Sequence, residues 1–175
     1  MFVAGRDIVR GPLCFGETLM TSVIYDLIEA HADDQPAIGM PESEAGGRAP
    51  MTYGDLKALI QSVQEALNGF GVGRNDRVAI VLPNGPEMAA ALIAVGAGAT
   101  TAPLNPGYRG EEFRFYLEDL GAKALFVEAG SQSPAIEVAR DLGVSVYELS
   151  VPDGASAGSF EISAGEPASD PGSIQ

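Results

Sequence analysis

Asn84, Asn105, Tyr108 and Arg109 are the side chains whose type and position best suit contact with a ligand. Asn84 follows the apolar run Val78-Ala79-Ile80-Val81-Leu82, inside Pro83-Asn84-Gly85-Pro86. Asn105 follows a second run, Ala99 to Leu104, and shares its loop with Tyr108 and Arg109. Open α/β sheets bind ligands just beyond the carboxyl ends of their strands, where both loops would lie. Amide and phenol groups there can donate and accept, and the Arg109 guanidinium could steady an anion. Each residue also has a structural explanation. Asn beside Gly and Pro stabilises its own turn, and Arg109 can be simply solvated.

Other chemistry-bearing residues are better explained by structure. Gly96-Ala97-Gly98 lacks the third glycine of a dinucleotide fingerprint, because Thr101 stands there. The pair also follows a helical stretch and precedes an apolar run, the reverse of the required order, so close packing accounts for it. His31 sits near the end of a helical stretch, where an imidazolium favours the dipole. Lys57 and Lys123, the only lysines, read as solvated, and Glu87, Glu111 and Glu112 as first-turn acids. No set of residues stands out as catalytic or as metal ligands. Cys14 is alone, which rules out an internal disulfide and fits a reducing cytoplasm.

The elements that must position the four candidates are legible from the periodicity. Ser22 can cap a helix running to about Ala32, and Pro36 to Met40 suits a short strand. Thr52 and Asp55 have capping-box spacing, ahead of Leu56, Leu59, Ile60, Val63, Leu67 and Phe70 at helical intervals. Gly69, Gly71 and Gly73 end that helix. From Arg77 the chain reads βαβαβαβ. Val78–Leu82 and Ala99–Leu104 are strands, joined by a small-residue helix over Glu87–Ala97. A helix from Glu111 to Leu120 follows, then strand Ala124–Val127, a helix from Pro134 to about Leu142, and strand Val144–Leu149. Apolar strands without alternation imply a sheet covered on both faces, and right-handed crossovers make it a layered, mostly parallel α/β sheet with flanking helices.

The 175 residues suit one domain. A net charge of −14 argues against nucleic-acid binding, which needs a basic face. It also means that a phosphate-bearing ligand needs local cations or oriented amides. No apolar run is long enough to span a membrane. Met20 opens the periodic sequence, so residues 1–19 read as an N-terminal extension and 20–149 as the α/β unit. From Ser150 onward Ser, Gly, Ala, Pro and acids dominate, Phe160 and Ile162 stand apart, and 150–175 reads as a flexible linker or truncated end.

Several segments in one order carry a family resemblance. They are Thr52-Tyr53-x-x-Leu56, Arg77 to Asn84, Ala102-Pro103-Leu104-Asn105-Pro106, and Glu111-Glu112-Phe113 through Gly121-Ala122-Lys123. Together they resemble the N-terminal region of the adenylate-forming acyl- and aryl-CoA synthetases, over residues 20 to 150. The Ala99 to Asp119 stretch is most similar to the oxalate-CoA ligase branch. Met51, Asp55 and Leu120 depart from the usual Leu, Glu and Ser.

The resemblance implies a two-step reaction. A carboxylic acid attacks the α-phosphate of ATP, giving an acyl-adenylate and pyrophosphate, and the coenzyme A sulfur then displaces AMP. It implies ATP, CoA and Mg2+ for the intact enzyme, and the remainder of the ligase chain as partner. It makes Asn84, Asn105, Tyr108 and Arg109 candidates to face substrate or CoA. The family's phosphate loop, rich in Ser, Thr and Gly and carrying a Lys, does not occur in these residues, and no Lys follows Lys123. The expectation is a fragment that is inactive by itself and binds none of these cofactors tightly. The alternative is a free-standing, non-catalytic α/β binding or interaction module derived from that family.

Overall fold

The computed structural model describes residues 23–40 and 47–164. In chain order the elements are α1 (Val23–Glu29), β1 (Pro36–Ile38), β2 (Met51–Thr52), α2 (Tyr53–Gly69), β3 (Arg77–Val81), α3 (Pro86–Gly96), β4 (Thr100–Pro103), α4 (Gly110–Leu120), β5 (Ala124–Glu128), α5 (Pro134–Asp141), β6 (Ser145–Ser150) and β7 (Glu161–Ala164). The main sheet has the order β4-β3-β5-β6-β7. Its first four strands are parallel and β7 runs antiparallel to β6. β1 and β2 form a separate antiparallel pair.

Local chemistry sets the helix ends. Thr52 Oγ1 accepts from the Asp55 amide (3.2 Å) and Asp55 Oδ2 accepts from the Thr52 amide (3.1 Å), a reciprocal cap for α2. Pro86 opens α3 where its missing N–H costs no bond. Ser133 Oγ accepts from the Ala135 amide ahead of α5. Gly121 leaves α4 in the left-handed region (φ +54°), which a side chain would resist.

Strand alternation divides the core into two layers. Val78, Ile80, Ala124, Phe126, Tyr147 and Leu149 point toward α1, α2 and α3. Ala79, Val81, Leu125, Val127 and Val146 point toward α4 and α5. Each such Val, Ile, Leu or Phe contributes on the order of 1.5–3 kcal/mol by leaving water. In α3 the buried positions include Ala90, Ala91 and Ala94, which let the helix lie close against both sheet and α2. The same logic holds at its end. A Cβ on Gly96 would meet Ile24 Cδ1 at 3.2 Å, and one on Gly98 would meet Gln64 Cγ at 3.2 Å. Close packing therefore explains both glycines.

Three expectations change. The apolar run Ala99–Leu104 is not covered on both faces: β4 forms an edge of the sheet and its side chains are half-buried or exposed. Residues 150–164 are not a loose linker, because β7 pairs with β6 and Ala157 and Phe160 are buried. Phe160 and Ile162 both reach the α1–α3 layer of the core, which is what orders the segment. Lys57 is not free in solvent. It donates to the His31 carbonyl (2.9 Å) and pairs with Asp33 (2.8 Å). Lys123 is exposed, as expected, and it also donates to the Gly71 carbonyl (2.6 Å) and pairs with Asp76 (3.0 Å), tying the exit of α2 to that of α4. The Ser22 cap and the 1–19 extension lie outside the described residues.

Candidate functional site at the carboxyl ends of the strands

From β3 the chain moves to β4 on one side, then crosses to β5 on the other. Helices α3 and α5 consequently leave neighbouring strands β3 and β5 toward opposite faces. The crevice between the loops after these strands is the topological switch point of the sheet, the usual ligand position in such folds.

Asn84 lies on that rim. It is exposed and lines an open cleft of about 320 Å³, with Ile38, Gly39 and Met40 on one side and Gly85 and Glu87 on the other. Asn105, Tyr108 and Arg109 are not part of this lining and sit over the neighbouring edge strand. Asn105 Oδ1 accepts from the Gly107 amide at 2.9 Å, so its side chain stabilises its own turn here. Tyr108 stacks on Tyr116 (centroids 5.2 Å, planes 13° apart) and meets Phe113 edge-on. Hydrogen bonding with Tyr116, then that residue's charge, desolvation and Glu112, holds the Tyr108 phenol above its ordinary pKa. It is therefore a neutral hydrogen-bonding group at physiological pH. Arg109 precedes α4; its amide donates to Glu112 Oε2 at 2.9 Å and its side chain is exposed.

Periodicity gave no hint of the most connected polar pair. Arg48 Nη2 donates to Glu87 Oε1 (2.6 Å) and to the Ser156 carbonyl (2.8 Å), while its Nε donates to the Ala155 carbonyl (3.3 Å). Glu87 Oε1 also accepts from the Gly158 amide (3.1 Å). Desolvation raises the Glu87 pKa, but the Arg48 bond and the amides of Glu87 and Gly158 outweigh it, leaving the carboxyl below its ordinary range. Glu87 is a first-turn acid, as its position implies, yet its carboxylate also serves two distant segments. Arg48 lies 39 residues away, so no local spacing could reveal the pair.

At this end of the sheet two of the charged groups are paired with each other. The Glu87 carboxylate holds the first turn of α3, Arg48 is engaged by that carboxylate and two carbonyls, and Arg109 stands exposed over the next strand. Among the described residues there is also no group of three or more His, Cys, Asp or Glu arranged to hold a metal ion. No helix among them is long and apolar enough to cross a membrane.

The fold has relatives among known proteins. Residues 28–172 match the family model for AMP-binding enzymes. The chain is 34% identical over 110 residues to the 3-hydroxybenzoate–CoA ligase of Aromatoleum sp. (strain CIB), covering 62% of this chain and 20% of that one. It is 38% identical over 101 residues to the oxalate–CoA ligase of Arabidopsis thaliana, covering 57% and 20%. The chain thus spans about a fifth of the length of these curated relatives. Among solved structures, the N-terminal domain of FACL13 from Mycobacterium tuberculosis superposes with a TM-score of 0.56 at 26% identity, covering 68% of this chain and 29% of that one. Apo MatB from Rhodopseudomonas palustris shares the fold, with a TM-score of 0.60 at 21% identity over 82% of this chain and 30% of that one. The chain belongs to the AMP-binding enzyme family and matches the N-terminal region of its adenylate-forming CoA ligases.

Proposed function

We infer that residues 20–149, extended by the segment from Ser150 through β7, are the N-terminal part of an AMP-forming acid–thiol ligase. The overall reaction is carboxylic acid, ATP and coenzyme A to acyl-CoA, AMP and pyrophosphate. In this reading the region forms one wall of the acyl and coenzyme A channel. Asn84 faces it at the switch point, while Tyr108 and Arg109 offer a neutral phenol and a cation at the next strand end. Asn105 holds the turn that presents them. The groups that stabilise charge on the reacting phosphorus, with Mg2+, belong to the remainder of the ligase chain, because such chemistry needs cations and oriented amides aimed at the developing charge.

The observation that carries this reading is the family match across residues 28–172, combined with a parallel sheet whose switch point opens into a cleft lined by Asn84. Two experiments test it. Reading the gene beyond codon 175 should reveal a Ser/Thr/Gly-rich loop with a Lys within about thirty residues, since longer structureless connections are uncommon; an authentic stop there would favour the stand-alone module. Incubating the 175-residue chain with ATP, Mg2+ and a panel of carboxylic acids should release no pyrophosphate. Turnover above background would refute the assignment of the phosphate chemistry to other residues.

A further inference from the structure

We propose that Arg48 and Glu87 form a clasp that straps residues 151–160 across the first turn of α3 and thereby fixes where β7 joins the sheet. Ser150 and Glu161 are direct partners across the β6–β7 ladder, so a tight hairpin of two to five residues would have sufficed to join them. The chain instead makes a detour of ten residues, 151 to 160, over the amino end of α3.

The detour is held from three directions. The Arg48 fork reaches the Ala155 and Ser156 carbonyls as well as Glu87, and Glu87 Oε1 takes the Gly158 amide. The Ala157 amide donates to the Ala49 carbonyl at 2.8 Å, beside a bridge between Pro50 and Ala157. Beneath these bonds Ala157 and Phe160 are buried. Gly158 has φ +88°, and a Cβ there would meet the Pro86 carbonyl oxygen at 3.1 Å, so the strap lies directly on the helix. One ion pair, with about a quarter of each side chain exposed, therefore joins the loop before β2, the start of α3 and the approach to β7.

The clasp stands on contacts within this chain and does not depend on the ligase reading. It makes Arg48 and Glu87 positioning residues. They determine how firmly β7 is held against β6.

Amide hydrogen exchange on the 175-residue chain tests this. Glu87→Ala and Arg48→Ala should each speed exchange across residues 155–164 at least tenfold, with β3 and β5 unchanged. Glu87→Gln keeps an acceptor oxygen for Gly158 and Arg48 while losing the charge, so it should fall between wild type and Glu87→Ala. It also carries the comparison if the alanine variants do not fold. Protease nicking within 151–160 should accelerate in the same order. Unchanged exchange at 155–164 in Glu87→Gln and Glu87→Ala would overturn the clasp. So would a rise shared equally by β3 and β5, which would show only a general loss of stability.

Discussion

Single residues carry the clearest stability consequences. Gln64 is buried between α2 and the end of α3, and its Oε1 has no hydrogen-bond partner among the described residues. Leaving such an acceptor dry costs about 1–3 kcal/mol. Gln64→Met has similar volume and removes the unmet acceptor, so we expect stability in urea to rise by roughly 1 kcal/mol. A drop of that size would mean that the amide makes a bond that matters. Two carboxylates bear on acid stability. Backbone bonding from Gly73, then Lys123, lowers the Asp76 pKa, and the Glu87 pKa is lowered by Arg48 and two amides in spite of burial. Each is lower in the folded than in the unfolded chain. Each therefore favours folding above the unfolded carboxylate range and ceases to do so as pH falls through its folded value. Stability should decline below about pH 4, and Glu87→Gln should flatten that decline. An unaltered pH profile in Glu87→Gln would show that this carboxylate is not linked to folding.

At the scale of elements, the helices obey local rules and the edge strand obeys a protective one. Thr52→Ala removes the side-chain half of the α2 cap and should cost about 1 kcal/mol, measured by chemical denaturation. β4 is the edge of the sheet. The Thr100 and Leu104 amides donate to the carbonyls of Asp76, just before β3, and Ile80, within it. By strand alternation the amide positions of Thr101 and Pro103 face outward, so Pro103 sacrifices no ladder bond and denies a donor to any chain approaching this edge. Pro103→Val should leave the chain folded but increase concentration-dependent association, relative to wild type, in sedimentation experiments. A variant that associates no more than wild type at any concentration would show that the edge is guarded by something other than the missing donor.

For the whole molecule, the segment after β6 belongs to the folded unit. Ending the chain at Ser150 would remove β7, uncover part of Leu149 and Tyr147, and take Phe160 and Ala157 out of the core. Losing the burial of Phe160 alone costs on the order of 3 kcal/mol, a large part of the 5–15 kcal/mol available to a domain. The 1–150 truncation should melt well below the 175-residue chain, or without cooperativity. Equal melting temperatures would return residues 151–164 to the status of a linker.

Local spacing sufficed for helices α2 to α5 and their ends, the parallel strands from residue 77 on, and the family resemblance, because caps, glycine exits and apolar periods act over three or four residues; α1, expected to reach about Ala32, stops at Glu29. Local spacing also placed Asn84 and Asn105 just past strand ends, since a turn follows its strand directly. That Ala99–Leu104 lies at an edge emerged from the folded chain, because an apolar run does not state how many neighbours it has. Only the tertiary structure brought Arg48, Glu87 and Gly158 together, and it alone showed that Phe160 and Ile162 belong to the core. Partners 39 or more residues apart leave no trace in local spacing; they meet because strand order and crossover hand carry distant segments to the same end of the sheet.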